Sequence, residues 1–134
     1  MIFFLDRTLG MEIFPGKLRA AGLRIECHDD YLPQNASDDV WLRFLASKNW
    51  YALGNDKKIY KRRFEREMVM RAGIGYFILT GADRSGELLA DNFLRTLPKI
   101  RTFIKEHRRP FIAGIHRPSI QGGTGRVELK YPRP

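Results

Sequence analysis

Apolar and polar positions along this chain alternate in blocks that read as strands separated by helices. Ile2 to Leu5, Leu23 to Glu26, Trp50 to Leu53 and Ile74 to Thr80 are short apolar or half-apolar runs of strand length. Between them, Gly10 to Ala21 reads as a helix terminated by Gly22, and Asp38 to about Lys48 as a second helix. Lys57 to Ala72 reads as a heavily basic third helix closed by Gly73, with Tyr60, Phe64 and Met68 as its apolar stripe. The polar stretch Cys27 to Ser37 reads as a loop, and the turn Gly81 to Gly86 leads into a long helix from Glu87 to about His107. Pro98 is the position at which that helix would kink or split, if it is interrupted at all. Such alternation implies βαβ units, right-handed crossovers and a mostly parallel sheet with helices on both faces, a three-layer α/β/α fold. Phe111 to His116 and Arg126 to Tyr131 differ, reading as two strands of an appended antiparallel hairpin. A single domain is expected, with residues 1–109 as its α/β core and residues 110–134 as a hairpin extension.

Composition narrows the function classes. A chain of 134 residues is long enough to bury a core without disulfides, and Cys27, the lone cysteine, excludes both an intrachain disulfide and a cysteine-based zinc site. No apolar run approaches membrane-spanning length and the amino terminus has no basic leader, so a reducing cytosol is the expected location, with no membrane partner. With 24 Lys+Arg against 15 Asp+Glu, the formal net charge is +9, which favours a polyanionic partner.

Against that basic background, three aspartates stand where elements meet. Asp6 closes the first apolar run, Asp56 follows the third, and Asp38 heads the second helix. Parallel strands that start on one edge of a sheet finish on the other, so Asp6 and Asp56 are expected in the crevice at the carboxyl ends. At about 100° per residue, Asp38 falls within about 60° of the apolar face of Trp41, Leu42, Phe44 and Leu45, while Asp39 points to solvent. Each acid also has a plain structural use. Asp38, behind Ser37 as N-cap, favours the positive end of the helix dipole, and Asp6 and Asp56 satisfy turn amides.

Gathered carboxylates repel one another unless a cation joins them, and hard oxygen donors suit Mg²⁺ or Mn²⁺. Such an ion lowers the pKa of a bound water, polarises a phosphoryl oxygen and stabilises the leaving oxygen of an in-line displacement. Two ions would need a bridging carboxylate, for which Asp6 is best placed; one ion or two is left open.

The segments Phe3-Phe4-Leu5-Asp6-Arg7-Thr8-Leu9-Gly10, Leu18-Arg19-Ala20-Ala21-Gly22-Leu23, Ser37-Asp38-Asp39-Val40-Trp41-Leu42, Asn55-Asp56-Lys57-Lys58-Ile59 and Arg71-Ala72-Gly73-Ile74 carry a resemblance. In order and spacing they are similar to the PIN-like ribonuclease superfamily, in its compact branch of VapC-type toxins, and Pro110-Phe111-Ile112-Ala113 adds to the likeness. The resemblance implies a PIN-like fold, Mg²⁺-dependent endonucleolytic cleavage of RNA, neutralisation by a cognate VapB-like antitoxin, and pairing as a homodimer. It assigns the catalytic, metal-holding acids to Asp6, Asp38 and Asp56. The fourth acid usual in full-length PIN nucleases has its nearest candidates in Asp83 and Asp39.

The candidate RNA-binding residues are Arg7, Lys57, Lys58, Lys61, Arg62, Arg63 and Arg66, which would hold phosphates beside the carboxylates. Arg84, Arg117, Arg126, Lys130 and Arg133 either extend that footprint or meet an acidic antitoxin segment. Trp41, Trp50 and Phe93 read as core, leaving no identified exposed aromatic for base stacking. His28 reads either as a support for the crevice or as an ordinary loop histidine. Two alternatives stand beside the nuclease: a catalytically degenerate PIN-like module that binds RNA or protein, and a phosphoacceptor receiver, which needs a lysine after a fifth parallel strand.

Overall fold

The computed structural model describes residues 1–80 and 85–133. Six strands, β1 (Ile2–Leu5), β2 (Arg24–Cys27), β3 (Tyr51–Gly54), β4 (Gly75–Leu79), β5 (Phe111–His116) and β6 (Arg126–Tyr131), form one sheet in the order β2-β1-β3-β4-β5-β6. The first five run parallel and β6 is antiparallel. Four helices, α1 (Ile13–Ala20), α2 (Asp38–Ala46), α3 (Arg63–Ala72) and α4 (Gly86–Glu106), complete three layers.

The two-residue period of the strands explains the layering. Phe3, Leu5, Leu53, Phe77 and Leu79 enter one core with Phe14 and Leu18 of α1 and Phe93 and Ile100 of α4. Phe4, Ala52, Tyr76 and Ile78 enter the other with Leu42 and Leu45 of α2 and Val69 of α3. Strands covered on both faces are near-continuously apolar, which is why they stood out in the sequence.

Three features depart from expectation. The third helix begins at Arg63 rather than Lys57, because Lys57 to Lys61 form a turn pinned by buried Ile59 and Arg62 is extended. That start sets the helical phase so that Glu65, Val69 and Ala72 lie on the inward face, and Phe64 is 74% exposed rather than part of an apolar stripe. Next, α4 runs unbroken through Pro98 and is capped by Ser85, whose Oγ accepts the Leu88 N–H at 3.2 Å.

Finally, β5 pairs in parallel with β4 on one edge and antiparallel with β6 on the other. Strands β5 and β6 do form the expected hairpin, yet β5 is buried inside the sheet as its fifth parallel strand. Among the described residues, no helix is long and apolar enough to cross a membrane.

Candidate acidic active site

In this strand order the chain moves outward from β1 to β2 and then returns to β3 on the other side of β1. The crevice at the carboxyl ends therefore opens between β1 and β3, where ligands of open parallel sheets usually bind. Register Leu5↔Leu53 brings the two ends level, and the Asp6 N–H continues the ladder to the Leu53 carbonyl at 2.9 Å. Thr8 Oγ1 lies 3.0 Å from Asp6 Oδ2 and 2.9 Å from Asn55 Oδ1, so its one hydrogen serves either oxygen and ties the two strand ends together.

Asp56 serves the turn use foreseen for it and also takes an ion pair. Its Oδ1 accepts the Lys58 N–H at 3.0 Å, the turn amide, while Oδ2 accepts from Arg62 Nη1 at 2.6 Å. The same Nη1 donates to Glu65 Oε2 at 2.8 Å. These two carboxylates push the Arg62 guanidinium pKa up from its ordinary value, the hydrogen bond to Glu65 first and that to Asp56 second. Arg62 is thus the cation between two acids here, although the sequence pointed to it as a phosphate contact.

Asp38 is exposed, and its Oδ1 accepts the Trp41 indole N–H at 2.9 Å. Trp41, half-buried, packs against Tyr76 with ring centroids 5.9 Å apart, which couples the start of α2 to the crevice. Asp39 points away as its helical phase demands, and hydrogen bonds from Ser37 and Arg43 hold its carboxyl below the usual carboxylate range. Ser37 occupies the N-cap position, but its hydroxyl serves Asp39 rather than a backbone amide. Asp83 and Arg84 lie outside the described residues.

Tyr76, which the sequence did not single out, connects these acids. It is 2% exposed. Burial, followed by the carboxylates of Asp6, Asp56, Asp38 and Glu65, pushes its pKa well above that of an ordinary tyrosine. Four acids, two just after β1 and β3 and two in α2 and α3, thus favour the protonated hydroxyl. Gly54, the last residue of β3, makes room for it, since a Cβ there would collide with Tyr76 Oη. Tyr76→Phe is expected to fold as the parent does and to bind Mn²⁺ roughly tenfold more weakly, as loss of a supporting group around a metal does; calorimetry and melting temperature measure the two effects.

Among the described residues, no three carboxylate, histidine or cysteine side chains converge closely enough to hold an ion as they stand. The donor set is nevertheless all oxygen, and a guanidinium already sits between Asp56 and Glu65. Both features suit a hard cation.

Of the other candidate cations, Lys57, Lys58 and Lys61 are exposed, with no ion pair among the described residues. Arg7 donates to the Gln34 carbonyl at 3.0 Å, and Arg63 pairs with Glu67 at 3.2 Å. Arg66 donates to the Tyr60 carbonyl at 3.4 Å and lies over the Tyr131 ring. His28 is buried against Phe4 and pairs with Asp29, as an ordinary structural histidine does. The strand β5 ends in His116 and Arg117, without the lysine that a receiver needs.

The sequence profile of the PIN like domain family matches residues 1–81, a span that includes Asp6, Asp38, Asp56, Glu65 and Tyr76. Over 117 residues, covering 84% of each chain, the protein is 30% identical to a Mycobacterium tuberculosis protein named "Putative ribonuclease VapC45". No solved structure matches it.

Proposed function

This chain belongs to the PIN-like domain family, in its VapC-type branch, and from that membership we propose that it is a divalent-metal-dependent endoribonuclease, the toxin of a cytoplasmic toxin-antitoxin pair. The observation that carries this reading is the crevice at the sheet's switch point, where Thr8 ties Asp6 to the end of β3 and Asp56 shares Arg62 with Glu65. Asp6, Asp38 and Asp56 would hold Mg²⁺ or Mn²⁺, with Glu65 as the fourth acid. The bound ion supplies Lewis acidity toward a phosphoryl oxygen and lowers the pKa of a coordinated water.

The chain's own residues do the rest. Thr8 and Asn55 orient Asp6, Trp41 orients Asp38, and the Lys58 amide orients Asp56. Tyr76 stays protonated at neutral pH. Lys57, Lys58 and Lys61, exposed beside Asp56, attract the phosphates of the substrate. A VapB-like antitoxin is the proposed protein partner.

Purified protein is expected to cleave an RNA oligonucleotide with Mg²⁺ or Mn²⁺ and to stop on addition of EDTA. Cleavage indifferent to EDTA would refute the metal dependence. One observation favours a second reading, a PIN-like module that binds without cutting: Arg62 already neutralises Asp56 and Glu65. Calorimetry detecting no Mn²⁺ binding, together with salt-sensitive RNA binding, would decide for that module.

A further inference from the structure

On the α3 side of the sheet, the Lys57 to Lys61 turn and α3 leave uncovered a groove over β4, β5 and β6. Two adjoining cavities of about 220 and 510 Å³ make it up, and Tyr60, Lys61 and Lys130 line both. Its near end reaches Lys57, next in the chain to Asp56, and its far end is lined by Tyr131 and Arg133. Gly114 forms part of the floor, where a Cβ would press on Lys130 Cε at 3.2 Å.

We propose that this groove binds a single-stranded polynucleotide, holding the stretch of chain that flanks the phosphate at the acidic crevice. The proposal rests on the nuclease reading for the identity of that strand. Its chemistry combines cations with rings. Lys61 and Lys130 lie 5.8 and 5.5 Å from the Tyr60 ring centroid, and the Arg66 guanidinium lies 4.8 Å from that of Tyr131.

Lys61, Arg66 and Arg133 have no carboxylate partner among the described residues. Lys130 shares Glu128 with His116 and Arg126, so this single acid does not offset the positive field. Cations beside aromatic faces, continuous with the acidic site, match a sugar-phosphate strand with stackable bases. An acidic polypeptide would use the charges and leave the rings idle.

The test uses full-length Asp6→Asn protein, to prevent cleavage, and the fluorescence anisotropy of a labelled unstructured oligoribonucleotide over a salt series. Lys61→Ala/Arg133→Ala, both exposed positions, is compared with Arg101→Ala/Lys105→Ala, an equal charge change on the opposite face. Each lost phosphate contact lowers the slope of log affinity against log salt by about 0.7 for a single strand, so the groove pair should lose about 1.4 and the control pair little. Equal losses in both pairs, or none in either, would overturn the groove. So would groove variants that lose binding of polyglutamate yet keep that of RNA. Groove variants that bind RNA normally while the parent sequence cleaves it would remove the groove and leave the nuclease. Selective loss of binding, in a protein whose parent never cleaves, would do the reverse.

Discussion

Asp6→Asn is expected to lower RNA cleavage by about 100-fold or more, because losing even a supporting partner of a metal ligand typically costs 10–100-fold. The substitution is nearly isosteric, and the structure shows why the fold should survive it. The Asp6 N–H still bonds to the Leu53 carbonyl, and an asparagine Oδ1 still accepts from Thr8. What disappears is one of the negative charges facing Tyr76.

Asp39→Asn is the matched control, removing the same charge from a carboxylate bound to Ser37 and Arg43 on the solvent side of α2. Its cleavage rate should equal that of the unaltered protein. Melting temperatures of the two variants separate chemistry from folding. Undiminished cleavage by Asp6→Asn, or equal losses in both variants, would mean that the crevice at β1 and β3 is not the reactive centre.

The convergence of Asp6 and Asp56 was legible because it follows from topology alone: parallel strands end on one edge, and both acids come directly after strands. Helical phase gave Asp38 and Asp39 different partners, Trp41 and Arg43, but it did not bury Asp38, which is exposed like Asp39 in the first turn of α2. Glu65 was not legible. Its direction depends on where α3 starts, and a helix begun at Lys57 would have put the apolar stripe on Phe64, which the structure exposes.

Nothing in the composition of Lys57-Lys58-Ile59-Tyr60-Lys61-Arg62 announces a turn; burial of Ile59 in the core beneath α2 and α3 holds it. Tyr76 was hidden in a uniformly apolar strand, because a buried tyrosine reads as a core residue until its hydroxyl is located. The double role of β5 was hidden differently. The short connection between β5 and β6 requires them to run antiparallel, but a strand has two edges, and only the packing of α4 shows that β4 takes the other.

Arg62 and Glu65 are expected to shift metal affinity in opposite directions. Glu65→Gln keeps the side-chain shape and a hydrogen-bonding oxygen for Arg62 but removes a charge, and should weaken Mn²⁺ binding roughly tenfold. Arg62→Ala removes the guanidinium that now occupies the space between Asp56 and Glu65, so Mn²⁺ should bind more tightly than to the unaltered protein. The same change leaves two carboxylates without their counter-charge, so the metal-free variant should melt at a lower temperature. Added Mn²⁺ should then restore its stability by mass action, about 2.7 kcal/mol when the free ion is 100 times its Kd. Calorimetric titration and melting curves with and without Mn²⁺ read both effects on the same samples. Equal Mn²⁺ affinity in Glu65→Gln and the unaltered protein would remove Glu65 from the metal set. Weaker binding by Arg62→Ala would show that Arg62 acts by positioning Asp56 rather than by filling the cation's place.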